Sequence, residues 1–94
     1  MRYTIKRDDA DMIAIRALGF LASEPERLGQ FLAVTGLGPE NLRAAASDAA
    51  FLASVLDYIM ADETLLVTFA GNIAVPPERI AAAQALLSGP RFDG

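Results

Sequence analysis

The sequence predicts an all-α fold, six helices packed as a single-domain bundle. Three observations carry this. Apolar residues recur at helical spacing, most clearly in Phe51 to Phe69, where Phe51, Leu52, Val55, Leu56 and Ile59 form one stripe and Leu65, Leu66, Phe69 and Ile73 a second. Helix starts and stops punctuate the chain at intervals of about a dozen residues. No segment alternates with period two for long enough to be a strand.

The first seven residues read as extended or frayed, with Tyr3 and Ile5 able to dock a short segment. The first helix is expected from Asp9 to Ala22, with Asp8, Asp9 and Asp11 at its positive end. Its apolar residues do not keep to one stripe. Ile13, Phe20 and Leu21 point one way, Ile15 and Leu18 another, as in a helix central to a bundle or engaged in a subunit contact. Ser23-Glu24-Pro25-Glu26 reads as a capping box opening the second helix, with Leu28, Phe31, Leu32 and Thr35 on one face. Gly36 is its expected C-terminal glycine at positive φ. Pro39 opens a third helix carrying Leu42, Ala45 and Ala46. Ser47 or Asp48 caps the fourth, Phe51 to Ala61, and Asp62 the fifth, Glu63 to Ile73. Pro76-Pro77 begins the sixth, with Ile80, Ala83 and Leu87 inward. Gly89-Pro90 ends it, and residues 91–94 are expected to fray.

A longer pattern overlies the helices. When the chain is shifted by 38 residues, Leu18 falls on Leu56, Leu28 on Leu66, Phe31 on Phe69, Pro39 on Pro77 and Glu40 on Glu78. Phe20 falls on Tyr58, Leu21 on Ile59, Leu37 on Val75 and Leu42 on Ile80. The expectation is a helix–helix–loop–helix unit written twice, over about 12–46 and 50–84. Two units are too few for a stacked solenoid, so they should close into a bundle with approximate two-fold symmetry.

Composition removes most kinds of chemistry. The chain has 94 residues, enough for one core. No apolar run approaches the ~18 residues of a membrane span, and the charged N-terminus lacks the apolar stretch of a signal peptide, so a cytoplasmic protein is expected. Histidine and cysteine are absent, which removes the commonest general base, the thiolate nucleophile and the usual zinc ligands. The acids cluster at helix starts, where capping accounts for them. Asp57 lies opposite Phe51, Leu52 and Ile59 and reads as solvated. The single lysine, Lys6, is in the N-terminal segment. No catalytic, cofactor-binding or metal-binding residue is nominated, and no enzyme is expected. Charge is uneven: Arg2, Lys6 and Arg7 make the tip basic, while the whole chain carries −4, which disfavours nucleic acid.

One loop carries a possible mechanism. Gly36-Leu37-Gly38-Pro39 resembles the hairpin of helix–hairpin–helix DNA-binding modules, where bare backbone N–H groups meet a phosphate at a helix start. Gly36, Gly38 and Arg43 would form that phosphate-binding loop. The following helix offers Glu40, Asn41 and then only Arg43, and the equivalent positions of the second half are Ala74, Val75 and Pro76.

Residues 17–43, then Phe51 to Ile59 and Ala61 to Phe69, together resemble an uncharacterised bacterial family of small all-helical proteins filed as a domain of unknown function. Glu24-Pro25-Glu26-Arg27-Leu28, Phe31-Leu32, Thr35-Gly36-Leu37, Leu56-Asp57-Tyr58 and Asp62-Glu63 are its most specific parts. The resemblance implies the helical fold and a bacterial cytosolic setting, and brings no activity, cofactor or site. The leading functional expectation is therefore a non-enzymatic protein-interaction module, with a homodimer as one form. A weak nucleic-acid binder using Gly36 to Pro39 is the alternative. A small apolar-ligand binder, with Asn72 as its inward polar residue, is a third reading.

Overall fold

The computed structural model describes residues 5–88. Six α-helices account for most of them: α1 Arg7–Ala22, α2 Pro25–Thr35, α3 Leu42–Ala45, α4 Ala49–Met60, α5 Glu63–Ile73 and α6 Pro77–Ser88. A 3-10 turn, Pro39–Asn41, leads into α3. Among the described residues there is no strand.

The helices start where the chemistry of their first turns dictates. Asp48 Oδ1 accepts the Ala50 N–H at 3.1 Å, and Asp62 Oδ1 accepts the Leu65 N–H at 3.2 Å. Each satisfies one of the unpaired donors of a helix start. The capping box at Ser23 does not form. Ser23 instead ends α1, its hydroxyl donating to the Phe20 carbonyl at 2.7 Å. Pro25 takes the first helical position, so the cap falls to Glu24, which is extended at φ −128° and uses no side-chain bond. A residue before proline is held out of the helical region, and that constraint decides the boundary. Arg7 is the first residue of α1 rather than the end of a frayed tip, and Ile5 packs against the core. Tyr3, Gly89-Pro90 and residues 91–94 lie outside the described residues.

Helices α1, α4 and α6 pack on one another and form the centre. Helix α2 lies against α1, and α5 against α4. The core is alanine-rich on α1, where Ala10, Ala14 and Ala17 are buried with Ile13 and Leu21. Alanine lets helix axes approach, so the bulk comes from opposite: Val55, Leu56 and Ile59 of α4, and Ile80 and Leu87 of α6. Ile80, Ala83 and Leu87 face inward as the spacing predicts.

Three aromatic contacts join the helices among the described residues, one of them Phe31 of α2 against Phe51 of α4 at 5.9 Å. Phe20 of α1 meets Phe69 of α5 at 5.3 Å between ring centroids. Tyr58 of α4 meets Phe31 of α2 at 5.1 Å. The 38-residue shift carries Phe20 to Tyr58 and Phe31 to Phe69, so Phe20–Phe69 and Phe31–Tyr58 are counterparts, whereas Phe51 maps onto Ile13 and its contact has no aromatic counterpart. Helices α2 and α5 also correspond at both ends under that shift. The correspondence stops at the third helix, since α3 is one turn long and α6 runs to Ser88.

Candidate functional site

Helix α1 has sixteen residues and one inward stripe: Ala10, Ile13, Ala14, Ala17, Phe20 and Leu21. Its outer face carries Asp8, Met12, Ile15 and Gly19, with Asp11 on one flank and Arg16 on the other. Met12 is 54% exposed and Ile15 52% exposed. The other exposed large apolar residues among those described, Val34, Val67 and Leu86, sit one each on α2, α5 and α6. Scattered single residues of that kind are ordinary on a protein surface; two adjacent on one helix face, with charged neighbours, form a patch.

The face is a ridge between two clefts. One cleft, about 250 Å³, lies toward the α5–α6 connection and is floored by Ile13, Ile73 and Val75. Asp9, Arg16 and Arg79 rim it, and Arg79 Nη2 stands 3.6 Å from Asp9 Oδ2. The other, about 340 Å³, lies toward α4 and is lined by Asp11, Ile15, Ala46, Ser47 and Leu52. At its rim Arg7 Nε donates to Asp11 Oδ1 at 3.4 Å. Asp11 pairs with Arg7 and Asp9 with Arg79, while Asp8 and Arg16 form no ion pair among the described residues. On a chain of net charge −4 this is a locally balanced surface.

The sequence pointed to this face through Ile15 and Leu18. The structure keeps Ile15 and corrects Leu18, which is half-buried against the core. Met12 takes its place beside Ile15. The missed signal is the spacing 12, 15, 19, one side of a helix read as a seam rather than as core.

The residues nominated for phosphate stand differently. Gly36 ends α2 at φ 77°, its N–H bonded to the Leu32 carbonyl at 2.8 Å. The Leu37 N–H reaches Thr35 Oγ1 at 3.4 Å. A methyl group on Gly38 would fall 2.6 Å from Glu40 Oε2, so a carboxylate lies over the approach to the loop. Arg43 is exposed on α3. Two of the loop's N–H groups are in use, and its nearest charge is negative.

Among the described residues no polar or charged side chain is buried. Asn72 is exposed, which corrects the inward placement expected of it and leaves an apolar-ligand pocket without its polar anchor. Asp57 is solvated, as its wheel position predicts. A third concavity, about 380 Å³ between α2 and the α4–α5 corner, is lined by Glu24, Glu26, Arg27, Tyr58, Asp62 and Leu65. Arg27 there stacks over the Phe20 ring at 4.4 Å. Among the described residues no three acids stand close enough to hold a metal ion, and no helix is long and apolar enough to cross a membrane.

No curated protein and no solved structure matches the chain. A family model does, over residues 7–90, which takes in all six helices. The chain therefore belongs to the family described as protein of unknown function (DUF3572).

Proposed function

We propose that the chain is a non-enzymatic helical interaction module whose docking surface is the outer face of α1. The observation that carries this is the pair Met12 and Ile15, each more than half exposed on one face of a helix whose other face is fully packed. Complete burial of a side chain of this size is worth about 1.5–3 kcal/mol, and with each side chain half exposed roughly half of that is left unused. The loop at Gly36 to Pro39 serves as a connector in this account.

A photo-crosslinking residue placed at Met12 or Ile15 in cells producing the chain tests it. The expected result is a discrete adduct from either position and none from Asp57, the exposed control on α4. Adduct yields no higher at Met12 and Ile15 than at Asp57 would remove the reading.

A further inference from the structure

We infer that the partner received by the outer face of α1 is a second copy of this chain, with the two α1 helices side by side and pointing the same way. The inference rests on the interaction-module reading and names its partner.

Charge selects the partner and its orientation. The face has the layout of a short coiled-coil seam: Met12 and Ile15 are adjacent seam positions, and Gly19 continues it one turn on. Asp11 precedes the seam on one flank and Arg16 follows it on the other. In a parallel pair related by a two-fold axis, the residue preceding one seam faces the residue five positions later on its partner. Asp11 of each copy then meets Arg16 of the other. An antiparallel pair would set Asp11 against Asp11 and Arg16 against Arg16. Among the described residues Arg16 makes no ion pair within its own chain.

Shape agrees. A two-fold axis along α1 turns the cleft at Arg16 and Arg79 of one copy toward the cleft at Asp11 of the other. Gly19, with open space around it, lets the helices come closest there. Asp8 lies about 16 Å further along the helix, at 1.5 Å per residue, so helices that cross near Gly19 carry the two Asp8 carboxylates apart into solvent. Fifteen residues line the ridge and its two clefts, against roughly 20–30 a side in a standard interface. The dimer is accordingly a weak one.

Sedimentation of the full chain across about 1 to 500 μM tests this, together with two charge reversals. The wild type is expected to pass from monomer to dimer. Arg16→Asp and Asp11→Arg should each weaken self-association about tenfold, since each sets like charges on both flanks. An equimolar mixture of the two variants should recover dimer, because both flanks then carry opposite charges. Orientation is read separately. The chain has no cysteine, so Ile15→Cys should oxidise to a disulfide-linked dimer, while Asp57→Cys on α4 should not. A wild type that stays monomeric throughout, while crosslinks from Met12 and Ile15 capture a different protein, would overturn the second copy and leave the interaction module standing. A dimer indifferent to both charge reversals would overturn the seam. A dimer that links through Met12→Cys mixed with Ile15→Cys, and through neither alone, would overturn the parallel orientation.

Discussion

Two residues 38 positions apart end their helices in the same left-handed conformation, and only one of them is suited to it. Gly36 has φ 77° and Ala74 has φ 57°, the sole non-glycine residue at positive φ among those described. An L-residue with a Cβ pays about 1–2 kcal/mol for that conformation, and glycine pays nothing. Open space surrounds Gly36, so a methyl group there would clash with nothing and the cost would be conformational alone. Gly36→Ala is therefore expected to lower stability by about 1 kcal/mol. Ala74→Gly should raise it by about 0.5 kcal/mol, after the larger unfolded-state entropy of glycine is set against the relief of strain. Urea unfolding of both variants reads the two signs, and a loss of stability in Ala74→Gly would contradict the argument. The glycine at the end of α2 was legible in the sequence because glycine is the usual residue there. The alanine at the end of α5 was not, because nothing in an alanine marks positive φ. Ser23 was misread for a related reason. Serine followed by glutamate three residues on is a capping pattern, but Pro25 moves the helix start by one residue and hands Ser23 to the helix before.

At the scale of elements, the sequence fared best where one physical effect dominated. Helix α5 was read to its exact ends, since Asp62 caps it by side chain and its apolar stripe is regular. The third helix was read as longer than it is. Asp48 must begin α4 three residues after α3 ends, and the connecting turn consumes Ala46 and Ser47. Helix α6 has no such successor among the described residues and continues to Ser88. The 38-residue shift matches the ends of α2 to those of α5 and fails at the third helix of each half. Phe20–Phe69 and Phe31–Tyr58 follow that shift, and Phe31–Phe51 does not. Phe31 and Phe69, both fully buried, should then have similar worth. Phe31→Ala and Phe69→Ala are each expected to cost about 3–5 kcal/mol. Denaturation midpoints measure this, and a difference of more than about 2 kcal/mol between the two would count against equivalent roles.

For the whole molecule, the sequence made the fold legible and the proposed docking surface only half so. Burial leaves a periodic record: every inward residue of α6 was read from its spacing. An exposed apolar residue leaves none, since Met12 and Ile15 cannot be told from core until the other side of α1 is seen to be filled. If the outer face of α1 docks a second copy as proposed, covering it stabilises the folded state. Association that favours the native form raises the unfolding temperature with protein concentration. In a domain of this size about 1 kcal/mol corresponds to 4–8 °C. The measurement is the thermal midpoint of the wild type and of Met12→Glu/Ile15→Glu, each at about 10 and 1000 μM. The wild-type midpoint is expected to rise by about 5 °C between the two concentrations. The double variant should not rise, and at the lower concentration it should match the wild type to within about 0.5 kcal/mol, since both positions are exposed in the monomer. A wild-type midpoint independent of concentration, or a double variant that unfolds far earlier at low concentration, would contradict the account.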